Sequence, residues 1–276
     1  MSLALPAAIL TRLEESSGRL TRLYHCPLWI PSFPDVSHGR WTVSRLPMGL
    51  MQGYWGDSYV VTDAAVLLRN DVTWMSVTPP EIESQELGCR LAHGHVVVLG
   101  FGMGIAAANA ALNPAVTAVT VVELDPEIHA FAADLDLPAQ LPPEAAAKLR
   151  LISGDATRWC PDPDRPVDVI LADYWLPFFD SRRIVEMQAV QANIQATQAF
   201  FWGQELSLAW ALYQTHGTVP VLDDTALEAF ITHLTPLPLL WPRGVGYGQM
   251  LVRAAAARMP PDLRAQMFPP AEINRG

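Results

Sequence analysis

Charge is scarce in this chain. Only 17% of its 276 residues are Asp, Glu, Lys or Arg, while half are hydrophobic. That is enough apolar material for a sizeable core, in one large domain or one domain with an appendage. What charge there is leans acidic, with a formal net charge of −10, and no Lys/Arg cluster occurs along the chain. Nucleic acid demands a basic footprint, so that partner is set aside. Cysteine is equally sparse. Cys26, Cys89 and Cys160 are an odd, scattered set that makes neither a disulfide framework nor a zinc pattern, which suits reduced thiols in a cytoplasmic protein. The seven histidines show no metal-ligand spacing, and no metal site is expected. No Gly-x-Ser-x-Gly or Cys–His pattern marks a nucleophile. No apolar run reaches the roughly 18 residues of a membrane span, and the first ten residues lack the basic and long apolar regions of a signal peptide.

Two rhythms are present in what remains. Residues 3–23 carry Leu10, Leu13, Leu20 and Leu23 at helical spacing and predict an amphipathic helix. A Pro-rich loop over 26–39 follows. Residues 41–74 then alternate, with Gly49, Gly53 and Gly56 as turns, and predict a β-rich appendage. A helix should begin near Pro79-Pro80-Glu81, where proline and an acid suit the first turn. From His95 the pattern becomes strand, helix, strand, helix. Strands are expected at 96–99, 116–122, 149–153 and 167–172, and helices at 104–112, 126–135 and 143–148. Such alternation builds βαβ units and a mostly parallel sheet. Beyond it lie a long helical stretch over 181–213, a fifth strand over 218–222 and a helix over 225–233. An antiparallel pair is expected over 237–241 and 247–253, and a loosely ordered Pro-rich tail after Ala257. The chain thus divides into an extension (1–78), an α/β domain (79–256) and a tail (257–276).

The run Val96-Val-Val-Leu-Gly100-Phe-Gly-Met-Gly104 carries the most information. Four apolar residues end in a Gly-x-Gly-x-Gly turn, and small helix formers follow. This is how a buried parallel strand passes to a helix across a nucleotide-binding turn. A second apolar run ends in Glu123, about 20 residues beyond the glycines, where a carboxylate accepts from ribose hydroxyls. A dinucleotide fingerprint wants G-x-G-x-x-G, but position 105 is Ile, so the spacing leans away from a pyrophosphate cofactor. Asp155 follows the third strand and can accept from an adenine amine, or cap the next turn. Asp173 ends the fourth strand, where ligands of open α/β sheets bind, and can orient an amine or guanidine or take its proton. Tyr174 and Trp175 beside it can wall the pocket or face a cationic sulfonium. The amide-rich stretch from Gln188 onward places Gln204 and Glu205 either on a solvent face or in an acceptor pocket.

At 96–108, 119–125, 153–156 and 168–173 the chain resembles the successive motifs of class I S-adenosylmethionine-dependent methyltransferases. The resemblance spans roughly 79–253. Gly100-Phe-Gly-Met-Gly-Ile-Ala-Ala107 and the Asp173-Tyr-Trp175 segment are similar to guanidinoacetate methyltransferase, where the matching acid holds the guanidino acceptor. Residues 113–125 and the β-rich extension look like spermidine synthases. Those enzymes carry an acid where this chain has Met103, and Asp-Ser-Ser-Asp-Pro where it has Asp173-Tyr-Trp-Leu-Pro177.

The resemblance implies a Rossmann-like α/β fold with a mostly parallel seven-stranded sheet, helices on both faces and an N-terminal extension. The implied activity is methyl transfer from S-adenosylmethionine, with S-adenosylhomocysteine as product, to a small-molecule acceptor at nitrogen. Gly100, Phe101, Gly102, Gly104, Glu123, Leu124, Asp155, Ala156 and Asp173 would hold the donor. Asp173 and Tyr174 would act at the reaction, and Trp175, Gln204 and Glu205 would contact the acceptor. The alternatives are an aminopropyltransferase using the decarboxylated donor and a nucleoside-binding regulator without turnover. Neither nucleic acid nor membrane is expected as a partner, and the extension could pair two copies.

Overall fold

The central strands are apolar at nearly every position because both of their faces are covered. In the computed structural model, which describes residues 22–269, successive side chains divide cleanly between two cores. Val96, Val98, Val119, Val121, Val169, Leu171 and Phe200 enter one. Val97, Leu99, Val122, Ile170, Ala172, Ala199 and Phe201 enter the other. This is the period of two that a strand imposes.

An N-terminal sheet comes first. It comprises β1 (Arg22–Leu23), β2 (Ser37–His38), β3 (Trp41–Gln52), β4 (Ser58–Arg69) and β5 (Val72–Ser76). Strands β3 and β4 pair antiparallel along almost their full length. The β4–β5 turn places Asn70 and Asp71 both at positive φ, the two-residue hairpin that matches strand twist. Helix α1 (Pro79–Leu91) leads into β6 (Gly94–Leu99), α2 (Ile105–Leu112), β7 (Val116–Glu123) and α3 (Pro126–Leu135). Short turns α4 (Leu137–Gln140) and α5 (Pro143–Ala146) precede β8 (Leu149–Ser153) and β9 (Val169–Ala172). Then come α6 (Arg183–Ile194), β10 (Gln198–Phe201), α7 (Gln204–His216), α8 (Asp224–Leu234), α9 (Tyr247–Arg258) and α10 (Pro261–Met267).

The second sheet runs β10-β9-β6-β7-β8, with every pair parallel. The α/β expectation therefore holds, with α1–α3 over one face and α6–α9 over the other. Strand order reverses between β6 and β9, so a crevice opens at their carboxyl ends.

The seven-stranded expectation does not hold: the described residues form five strands in this sheet. The fifth is β10, inside the stretch read as one long helix. Gln195 in the left-handed conformation stops α6, and Phe200-Phe201-Trp202 favours a strand over a helix. Residues 218–222, expected as the fifth strand, form none; Pro220 has no N–H to give a ladder. Residues 237–241 make one parallel bridge, Ala199 to Leu239, because Pro236, Pro238 and Pro242 remove donors. The partner expected at 247–253 is the start of α9, extended through Ala254–Ala257 by the best helix former.

The helix read over 3–23 lies outside the described residues except for its end, which is β1. The expected loose tail is ordered through residue 269, with α10 packing Met267 against Tyr54 and Met259. The extension and the α/β sheet share one core, since Trp41, Val43, Leu67 and Met75 pack with Ile82 and Val96. The β3–β4 turn is held at the far side. Arg258 donates to the Gly53 carbonyl at 2.9 Å and Arg253 pairs with Asp57 at 3.0 Å. No helix among the described residues is long and apolar enough to cross a membrane.

Candidate functional site

The carboxyl ends of β6, β7, β8 and β9 meet around a cleft of about 180 Å³. Gly100 sits where β6 ends, at φ +89°. A Cβ there would stand 2.4 Å from the Asp173 carbonyl oxygen, so only glycine lets the ends of β6 and β9 approach this closely. Gly102 also lines the cleft. Gly104 starts α2 as its N-cap residue, and the Phe101 ring points into the core. Neither of these two lines the cleft; Phe101 contributes its backbone.

Glu123 ends β7, nearly buried. Its two carboxylate oxygens accept the N–H groups of Phe101 at 2.8 Å and Asp125 at 2.7 Å. The carboxylate is thereby fixed between the glycine turn and the next loop. Each oxygen keeps a lone pair for a further donor, and the residue lines the cleft. Leu124, Ile128, Val122 and Ala156 give the apolar lining. Asp155 follows β8 and lines the cleft too. One of its oxygens accepts the Thr157 N–H at 2.9 Å and hydroxyl at 2.6 Å. Those bonds hold its carboxyl below the usual range and make it the turn-capping acid as well.

Asp173 is the chemically unusual group. Its side chain is half-buried where β9 ends, and one oxygen accepts from Gln85 Nε2 at 2.9 Å. The same Gln85 amide donates to the buried Glu81 at 2.8 Å, so the two carboxyls share one donor. Burial pushes the Asp173 carboxyl up to about 7, with Arg183 opposing. Burial, and then the charge on Asp173, drive Glu81 well above its ordinary value. Both carboxyls are thereby biased toward their protonated forms. Beside Asp173 lies a small pocket of about 20 Å³ against Cys89, Phe200 and Trp202, room for a single water-sized group. Gln85 Oε1 and Trp202 Nε1 are buried there without partners. Tyr174 lines the cleft, half-buried, its phenol pushed up to about 12 by burial.

Three expected acceptor residues are not brought to the cleft. Trp175 is buried beneath the Arg183 guanidinium, 4.0 Å from its ring centroid. Gln204 and Glu205 are fully buried at the start of α7. Glu205 accepts from the Tyr54 and Tyr247 hydroxyls at 2.9 and 2.7 Å, and Gln204 donates to the Leu240 carbonyl at 3.0 Å. They tie the β3–β4 turn to α7 and α9, and burial raises the Glu205 pKa.

Other residues escaped the sequence reading. Trp41, Arg69 and Trp74 of the N-terminal sheet form a wall of the cleft. The sequence reading put them in a β-rich extension, and nothing in it said what that extension covers. Glu81 was legible only as a first-turn acid. Its spacing of four from Gln85, which puts both on one side of α1, was the available signal.

No family model matches the chain, and no curated protein does. Among solved structures, it is similar to the glycopeptide N-methyltransferase MtfA with S-adenosyl-L-homocysteine, at 19% identity over 41% of each chain and TM-score 0.29. The methyltransferase domain of bacterial CtHen1 aligns at 14% identity, over 49% of this chain and 86% of that one, with TM-score 0.34. A candidate RNA methyltransferase from Pyrococcus horikoshii aligns at 23% identity, over 43% and 56%, with TM-score 0.30. This chain spans about two fifths of the length of the first. The likeness is partial and the scores are low, so fold and site stand on the chain's own residues.

Proposed function

We propose that the chain is an enzyme that transfers the methyl group of S-adenosylmethionine to a nitrogen of a small amine or guanidine. The observation that carries this reading is the convergence on one cleft of a glycine turn, a fixed Glu123 and a half-buried Asp173 poised near neutrality. The residues fit the donor. Glu123 offers two anchored acceptors to the ribose hydroxyls, and its charge repels a 2′-phosphate. Asp155 and the apolar lining suit adenine. Gly100 and Gly102 leave room for the methionine portion. When bound, the donor supplies an electrophilic methyl on a sulfonium.

The acceptor nitrogen must present a free lone pair, so the site must take its proton. Asp173, lifted by burial to about 7, supplies the base, its carboxylate accepting the proton. Asp173, at the cleft floor, also orients the nitrogen by a charge-assisted hydrogen bond. Holding the nucleophile in line accounts for most of the acceleration such a displacement needs. A cleft lined by Glu123, Asp125, Asp155 and Asp173 opposes a phosphate backbone and favours a small cationic acceptor.

The second reading is aminopropyl transfer from the decarboxylated donor. Its support is the acid-rich lining and the N-terminal sheet docked on the cleft. Incubating the full chain with methyl-labelled S-adenosylmethionine and a metabolite extract separates the readings by mass spectrometry. Methyl transfer predicts one small amine or guanidine gaining label. Aminopropylated products from the decarboxylated donor alone would overturn it. Donor binding with no labelled metabolite would leave a nucleoside-binding protein without turnover.

A further inference from the structure

The wall built by the N-terminal sheet contains a cation that pairs with no acid among the described residues. Arg69 is the only Lys, Arg or His among the described residues lining the cleft. It sits opposite Trp41 across the β3–β4 ladder. Its guanidinium lies 5.4 Å from the Trp41 ring centroid and 5.1 Å from that of Trp74. The two rings meet edge to face at 5.4 Å, and Trp41 is pinned by donating Nε1–H to Asp125 at 3.0 Å. Four carboxylates line the same cleft, yet Arg69 pairs with none of the described acids. Asp125, the acid on the Trp41 side, is taken by Arg40 at 2.8 Å. Cation–π contact fixes a guanidinium without neutralising it and leaves its N–H fork available. The fork matches a carboxylate.

Its position indicates which carboxylate. Met75, the residue after Trp74, touches the glycine turn: its sulfur accepts the Met103 N–H at 3.2 Å. Trp41, Arg69 and Trp74 line one cleft with Gly100 and Gly102 of that turn, the space assigned above to the methionine portion of the donor. Intact donor carries an ammonium and a carboxylate there; decarboxylated donor keeps only the amine. The cleft's acids serve the amine in either case. Only the carboxylate calls for a cation.

We propose that Arg69, held by Trp41 and Trp74, binds the donor's carboxylate and makes the N-terminal sheet the element that selects intact over decarboxylated S-adenosylmethionine. This rests on the donor reading above. It gives the sheet a direct part in recognition.

Calorimetric titration of the full chain with the two donors and with 5′-methylthioadenosine tests it. Wild type should bind the intact donor at least about tenfold tighter than the decarboxylated one, the usual range for a charge-assisted bond. Arg69→Gln should bring that ratio close to one while changing affinity for the decarboxylated donor and methylthioadenosine by less than about threefold. Arg69→Lys should keep part of the preference, because it retains charge and loses the fork. Trp74→Phe, which leaves the arginine but weakens its seat, should lower the ratio less than Arg69→Gln does. The proposal is overturned if wild type shows no preference, if Arg69→Gln keeps the wild-type ratio, or if it weakens all three ligands equally, as loss of a mere cover would. Failure of wild type to bind any of the three would sink the donor reading itself, and Arg69's role with it.

Discussion

Replacing Asp173 with asparagine should make the protein more stable at alkaline pH and inactive. A carboxyl lifted from its ordinary 3.8 to about 7 binds protons in the folded chain that the unfolded chain releases. Stability is then full below about pH 4 and declines as pH rises to about 7, after which the loss is constant. At about 1.4 kcal/mol per pH unit, the full loss is of order 4 kcal/mol. Local relaxation and partial solvent access reduce it, so about 2–4 kcal/mol should be recovered by Asp173→Asn at pH 8. The new amide still accepts from Gln85, and its NH₂ can reach the Gln85 oxygen that lacks a partner in the wild type. Urea unfolding of both proteins at intervals from pH 4.5 to 8.5 measures the difference. It should grow with pH and fade toward the acid end, while turnover is lost at every pH. A variant no more stable than wild type at pH 8, or a gain independent of pH, would refute the reasoning that burial sets the pKa of Asp173.

Other expectations follow from the same geometry. Gly100→Ala forces an L-residue to φ +89° against the Asp173 carbonyl and should cost about 2–4 kcal/mol; a urea midpoint within error of wild type would contradict it. Glu81→Gln replaces a carboxyl that burial already holds protonated, so the acid limb of the pH profile of kcat/KM should stay where it is in wild type; a limb moved by about one pH unit or more would show that Glu81 carries charge beside Asp173. Glu205→Ala strands the buried Tyr54 and Tyr247 hydroxyls and should cost about 2–5 kcal/mol. Donor affinity, read by calorimetry below the unfolding transition, should stay within about twofold of wild type; a selective fall in affinity would restore Glu205 to the pocket.

The parts of the site that sequence revealed are those where local chemistry and location coincide. A valine run that stops at Gly100 can only be a buried strand meeting a tight turn, and a second run stopping at Glu123 places that acid at the same sheet end. Helical periodicity was less secure. Gln198 to Phe201 is a strand because it lies beside β9 with both faces covered, a fact of packing between distant segments. Prolines at 236, 238 and 242 marked where a ladder would fail, but the alternation around them read as strand. The acids past the strands were the least legible. Glu205 and Asp173 are both acids just past a strand, and only contacts separate them: Glu205 meets two tyrosines 151 and 42 residues away, whereas Asp173 faces the cleft. Arg69 looked like an ordinary end of a hairpin strand until the sheet was seen to dock on the glycine turn.

A crystal structure of the full chain with S-adenosylhomocysteine is the most direct test of the donor site. The ribose hydroxyls should lie on the Glu123 carboxylate, adenine beside Asp155 and Ala156, and the sulfur on the Asp173 side of the glycine turn. A ligand bound elsewhere, or lying in this cleft with its ribose away from Glu123, would contradict the assignment.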